Sequence, residues 1–298
     1  MMNVGWLLVM LLGLVWTAIG ITVSEGRRKG CPVQQFYFTG SLFAVLILVS
    51  VAGAAGVRGI FAAEARPAVL GFCIGSLLNG AGQAISMMNL TQGGRALAYA
   101  IPQQAFLFPY LWSIAFWGQR RGALSVVGIL LIGGAIFYLA AARNADRSSS
   151  LPVRRIAVAL LAMHLLGASQ IVIISAARSE AARTLSEFAS ASVILGANAV
   201  FFLGWSLIRR RGFGAFRLYL PFGAVWGACA AASYCILLTA LTVLGKDRQE
   251  GIVFPLGAGI LILLYSLFTA VRYREKLNWH QVCAFAALVC GIFCAKLG

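Results

Sequence analysis

Charge is what this chain has least of. Only 11% of its 298 residues are Asp, Glu, Lys or Arg, and the acids number eight. A soluble globular chain carries about 25% charged residues, so the composition excludes that class. Histidine occurs twice, at His164 and His280, in different apolar stretches. The chain has no His-Glu-x-x-His, no Gly-x-Ser-x-Gly and no Gly-x-x-x-x-Gly-Lys-Ser/Thr sequence. That removes the zinc-protease helix, the hydrolase elbow and the nucleotide-binding loop. With no clustered acid, base and nucleophile, the expectation is a protein that is not an enzyme and holds no cofactor or metal. The seven cysteines (Cys31, Cys73, Cys229, Cys235, Cys283, Cys290, Cys294) show no paired metal spacing. Six of them lie in apolar stretches, where Cys behaves as a small hydrophobe. The start, Met1-Met2-Asn3, lacks the basic region and cleavage site of a signal peptide, so the first apolar stretch is expected to stay.

Hydrophobic residues make up 61% of the chain. A helix needs roughly 20 apolar residues to cross the hydrocarbon core. Ten such stretches occur, at about 4–24, 36–57, 67–90, 97–117, 122–142, 155–177, 186–208, 217–243, 252–271 and 279–297. The runs are continuous rather than alternating, which excludes a β-barrel. The loops between them are too short for a soluble domain. The fold expected is an all-α integral membrane protein of ten transmembrane helices.

The formal net charge of +16 sits almost wholly between spans, as in Arg27-Arg28-Lys29, Arg154-Arg155 and Arg209-Arg210-Arg211. In a soluble protein this would point to nucleic acid; here the partner is the anionic headgroup layer of a lipid bilayer. Loops after odd-numbered spans carry 15 Lys and Arg against 9 on the other side. The positive-inside rule then turns both termini away from the cytoplasm. A bacterial cytoplasmic (inner) membrane is the expected location.

Sliding the chain on itself by about 152–156 residues aligns its halves. Leu11-Leu12-Gly13 falls on Leu165-Leu166-Gly167, and Gly71 and Gly75 fall on Gly223 and Gly227. The seam holds Asp146-Arg147-Ser148-Ser149-Ser150, so the expected repeats are 1–145 and 152–298. Five spans per repeat is an odd number, so the second repeat enters the membrane from the opposite side. Inverted repeats are the usual architecture of secondary transporters, with solute held near the midplane between the halves.

An early Trp or Gly in span one, Pro102 opening span four and a short basic turn before a Gly-rich fifth span carry a resemblance. Tyr273-Arg274-Glu275-Lys276-Leu277 is similar to the turn found in EamA-type members of the drug/metabolite transporter (DMT) superfamily. The first copy departs from it, with Gln119 where Glu275 stands in the second. The resemblance implies a ten-helix carrier whose central cavity is lined by spans one, three, four, six, eight and nine.

At 100° per residue, Gly75, Asn79, Gly82, Gln83, Ser86 and Asn89 share one arc of span three, about 120° wide. Amides are costly in hydrocarbon unless they meet a partner or water, so this stripe is expected to face inward. It serves either as interhelical glue or as a solvated wall. Span four offers Tyr99, Gln103, Phe106, Tyr110, Ser113 and Trp117. Span nine offers Gly259, Ser266, Thr269 and Tyr273, with Tyr265 at the edge of that face. Span eight adds Tyr234, span six Gln170, and span one Trp16 and Thr17. The solute-binding candidates are therefore Trp16, Thr17, Asn79, Gln83, Ser86, Tyr99, Gln103, Tyr110, Gln170, Tyr234, Tyr265 and Ser266. His164 is the candidate for a coupling proton, since imidazole titrates near physiological pH. No acid falls at the middle of a span, which argues against a cation exporter built on a buried carboxylate. Pro102 and Pro255 sit either inside their helices or harmlessly in a first turn. Arg95 stands at one mouth.

The expected function is secondary transport of a small polar metabolite, neutral or zwitterionic (an amino acid, sugar or nucleoside), by alternating access. A proton-coupled exporter of drugs or quaternary ammonium compounds is the alternative. A channel or lipid-handling scaffold is the reading from another class. The chain is expected to act as a monomer or homodimer.

Overall fold

A computed structural model describes residues 4–90, 101–119, 122–145, 153–209, 216–273 and 279–297. Tyr99, Arg95 and the 274–278 turn lie outside them. Ten α-helices of ten residues or more run through the described residues, with no strand among them. They are α1 (Val4–Arg28), α2 (Val33–Ile60), α3 (Arg66–Leu90), α4 (Leu107–Phe116), α5 (Ala123–Ala145), α6 (Val153–Arg178), α7 (Glu187–Ile208), α8 (Phe216–Gly245), α9 (Val253–Tyr273) and α10 (Trp279–Leu297). Eight of these, all but α4 and α5, are long and apolar enough to cross a membrane, and α5 has a shorter apolar part at Ala123–Leu139. Outward-facing Leu70, Leu111, Leu130, Val200 and Phe293 are each more than half exposed, the surface of a protein solvated by lipid tails. The chain is a multi-pass α-helical integral membrane protein.

Local sequence explains where helices start and bend. Ser186 caps α7, its hydroxyl accepting from the Ala189 N–H at 3.2 Å, with Glu187 in the first turn to complement the helix dipole. Gly30 has φ 77° in the turn between α1 and α2, and Gly53 has φ 65° inside α2, breaking its regularity there. Pro255 is the third residue of α9, inside the first turn, where its missing N–H costs nothing. Span four is divided by a 3-10 turn at Gln104–Phe106 just before α4, in which Pro109, like Pro255 in α9, is the third residue. Gln104 then pins that turn, donating to the Gly133 carbonyl of α5 at 3.2 Å.

In lipid no hydrophobic force drives helix against helix, so packing relies on close backbone approach and polar contacts. α3 lies along α6 and α1 along α8; α2 lies along α7 and α5 along α10. Further contacts join α2 to α8, α3 to α7, α1 to α9 and α4 to α6. Glycines set these seams. A Cβ on Gly75 would sit 2.6 Å from Ile173 Cγ1, and one on Gly82 2.8 Å from Leu166 Cγ, both on α6. A Cβ on Gly227 would run into the Gly40 carbonyl of α2. The aligned glycine pairs of the two halves therefore both allow close approach, but against non-equivalent neighbours, α6 for the first and α2 for the second. Gly128 is pressed onto the backbone of α10 at Gly291 and Ala295, so this face of α5 packs within the monomer. Gly134, six residues further on, meets open space in an apolar groove of about 440 Å³ edged by Leu131, Tyr138, Cys283 and Ala287.

Polar glue is local. Asn198 of α7 donates to Ser41 Oγ of α2 at 2.9 Å, with both residues buried, and Ser76 of α3 donates to the Ile194 carbonyl of α7 at 2.5 Å. Asn198→Ala is expected to lower stability by about 1 kcal/mol, the scale of an interhelical hydrogen bond in lipid, read as a fall in melting midpoint in detergent.

Candidate functional site

The hydrophobic interior divides into two groups of packed side chains. One is built mainly from α1, α4, α5, α8, α9 and α10, with Ile174 of α6, and the other mainly from α2, α3, α6, α7 and the stretch of α8 from Trp226 to Leu238. Tyr234 of α8 and Ala177 of α6 touch both groups. Tyr234, a predicted binding residue, thus sits at the junction between the two.

On α3 the exposed Leu70, Ile74, Leu77 and Met88 mark the lipid side. At 100° per residue, Asn79 points diametrically away from them. Gly75 and Gly82 face α6 on one flank, while Ser76 and Gly80 face α7 on the other. Asn79 and Gln83 fall between these seams, half-buried, and no described residue hydrogen-bonds either amide. The two ends of the stripe behave differently. Asn89 is glue, donating to the Arg155 carbonyl of α6 at 3.1 Å, and Ser86 is buried. On α6, Gln170 is half-buried, and its Oε1 is fully enclosed without a partner among the described residues. A buried amide left in that state is a site for water or a solute hydroxyl. His164 faces outward, its Nδ1 2.7 Å from the Leu160 carbonyl of its own helix and its ring edge-on to Phe108. That geometry favours a structural role.

Trp16 of α1 is half-buried and leans on α9, 6.0 Å from the Phe254 ring centre and over Gly257. Thr17 is buried with its hydroxyl donating to the Gly13 carbonyl at 2.8 Å. Tyr265 lies beside Gly20, on the α1-facing edge of α9 with Gly257. The face holding Gly259 and Ser266 turns the other way, because Gly259 admits Ile132 of α5 and Ile292 of α10. On that helix Tyr265 and Ser266 therefore point to different neighbours. On α4, Tyr110 and Ser113 are buried, and Ser113 donates to the Tyr110 carbonyl at 2.7 Å. Gln103 is half-buried just ahead of the 3-10 turn.

One constellation is not expected from the sequence. Glu250 stands in a 3-10 turn, Glu250–Ile252, before α9, and its side chain is only 1% exposed. It is ion-paired with Arg178, the last residue of α6, whose own side chain is 41% exposed. The Arg178 guanidinium also lies over the Trp117 indole, 4.7 Å from its centre. A guanidinium set against a buried carboxylate is the strong, charge-assisted kind of pair. The turn is pressed onto the end of α4, where a Cβ on Gly251 would strike Ser113 Oγ and come 2.9 Å from Gln119 Oε1. In the sequence Glu250 is legible only as a loop acid, because hydropathy places it at a span end and says nothing of what folds over it.

No family model and no curated protein matches this chain. Among solved structures, 26 chains match. One crystal structure of a protein superimposes with a TM-score of 0.69 at 17% identity, over 97% of this chain and 96% of the other. Likeness at that identity speaks to the fold alone.

Proposed function

We propose that this chain is a secondary transporter of a small polar metabolite, working by alternating access between two inverted five-helix repeats, 1–145 and 152–298. The observation that carries the reading is the pairing of helices. Exchanging each helix with the one five places on turns α3–α6 into α8–α1, α2–α8 into α7–α3, and α1–α9 into α6–α4. It leaves α2–α7 and α5–α10 unchanged. An odd number of crossings per unit makes such an exchange an inversion, the architecture of secondary transporters. The five-plus-five layout also fits the resemblance to EamA-type carriers of the DMT superfamily. The amides of Asn79, Gln83 and Gln170 would supply donors and acceptors on one wall, with Trp16, Tyr234 and Tyr265 as the aromatic side. Such a mix suits an amino acid, sugar or nucleoside.

The carboxylate of Glu250, buried although at a span end rather than at mid-span, favours a second reading, a proton-coupled exporter of drugs or quaternary ammonium compounds. A thermal-shift screen across amino acids, sugars, nucleosides and quaternary amines identifies the solute class. Counterflow in liposomes with the best hit then tests the carrier. Trans-stimulated exchange is expected, whereas unsaturable flux would mean a channel, and no flux a scaffold. Asn79→Ala together with Gln83→Ala is expected to reduce exchange at least tenfold while leaving the melting midpoint within a few degrees. Each lost solute hydrogen bond contributes about 1 kcal/mol.

A further inference from the structure

Trp117, Arg178 and Glu250 tie together α4, α6 and the start of α9, three of the helices assigned to the pathway walls, and Trp117 belongs to the other repeat from Arg178 and Glu250. Of the three, Glu250 alone is enclosed. The elements packed on its turn are α4, α8 and α9. From α8 the nearby charges are Lys246, Asp247 and Arg248, all exposed on the turn that comes after it. Arg248 also acts electrostatically on Arg178. The described residues at this end of α4 are Ser113, Trp117 and Gln119, without charge, and the basic residue of α9, Arg272, is at its far end.

We infer that Glu250 binds the coupling proton of this carrier, and that protonation frees Arg178 and opens the mouth between α4, α6 and α9. The inference rests on the transporter reading. The proton comes from the water at this mouth and adds to one Glu250 carboxylate oxygen; no other bond forms or breaks. The resulting neutral acid no longer attracts the guanidinium, and its new O–H has Ser113 Oγ and Gln119 Oε1 beside the same turn as acceptors. Arg178 keeps its charge and, already 41% exposed, moves into solvent. With it goes the cation held over Trp117, and α4 is released from α6. A buried pair suits such a switch because the attraction is strong while both charges exist and collapses when one is neutralised.

Accessibility of a buried probe tests this without any solute. In a full-length, cysteine-free background in proteoliposomes, Ser113→Cys is labelled with N-ethylmaleimide at pH 8 and pH 5.5. Each rate is divided by that of the exposed Lys246→Cys at the same pH, which removes the intrinsic pH dependence of the reagent. The relative rate is expected to rise at least tenfold at pH 5.5. With Glu250→Gln it is high at both values; with Glu250→Asp, which keeps an ionisable group, the pH dependence returns. A flat relative rate in the unmodified Glu250 background, or a rise that survives Glu250→Gln, overturns the assignment. Counterflow reports on the carrier separately. Exchange with flat labelling overturns the Glu250 role alone, and pH-dependent labelling without exchange overturns the carrier reading.

Discussion

Replacing Gly128 by leucine is expected to abolish recovery of folded protein, and even Gly128→Ala should destabilise it by about 3 kcal/mol. The reason is what a side chain would meet there. The atoms crowding the Cβ position are the Gly291 carbonyl oxygen and the backbone of Ala295, not the flexible end of a side chain. Backbone cannot rotate away, so α5 and α10 would have to separate along their length. They would also lose the bond from Ser125 Oγ to the Ala295 carbonyl at 3.4 Å. Overpacking a tight interior costs about 1–3 kcal/mol, and the rigid neighbour puts this site at the upper end. The control is on the same helix. Gly134→Ala adds its methyl to open space and is expected to shift stability by less than about 0.5 kcal/mol. Melting midpoints of the two variants, followed by size-exclusion fluorescence in one detergent, decide the matter. Equal midpoints would refute the packing argument.

Arg178→Ala is expected to be the most damaging change at the mouth. It strands a carboxylate that is 1% exposed, and breaking one side of a buried pair costs about 3–5 kcal/mol. Arg178 is itself 41% exposed, so the lower end, about 3 kcal/mol, is the expected figure. Adding Glu250→Gln to Arg178→Ala should recover most of that loss, because the uncompensated charge is gone. A double-mutant cycle of melting midpoints measures the coupling. If the double variant is no more stable than Arg178→Ala alone, the two side chains do not act as a pair.

The helices are legible because length and hydropathy are enough to find them in lipid. Eight of the ten apolar stretches fall on helices long and apolar enough to cross a membrane, while the fifth has a shorter apolar part and the fourth, described from residue 101, is divided by the 3-10 turn at Gln104–Phe106. The inward aim of Asn79 is legible for the same kind of reason, since its position opposite Leu70, Ile74 and Leu77 comes from the period of the helix alone. What fails is anything that depends on a neighbour. Gly259 and Ser266 look like part of a polar wall until Ile132 and Ile292 claim that face. Gly71 and Gly223 align in sequence yet meet Ala176 of α6 and Thr39 of α2. The 3-10 turn at Gln104–Phe106 is likewise invisible in a continuous apolar run. Glu250 escapes notice because burial of a loop acid is decided by what packs on its turn, here Ser113 and Gln119 against the next residue, Gly251, some 130 residues away in the chain.

The interruption at Gln104–Phe106 makes a lever of α4. At 1.5 Å per residue its ten residues form an arm about 15 Å long, with its fulcrum anchored to Gly133 and the indole of Trp117 at its tip. A tilt of about 10° at the fulcrum carries that tip roughly 2.6 Å, enough to take an indole now 4.7 Å from a guanidinium beyond the reach of about 6 Å at which such pairs still attract. Large displacement at the rim therefore needs only a small angular change at one 3-10 turn, and the tightly seated helices behind it can stay where they are.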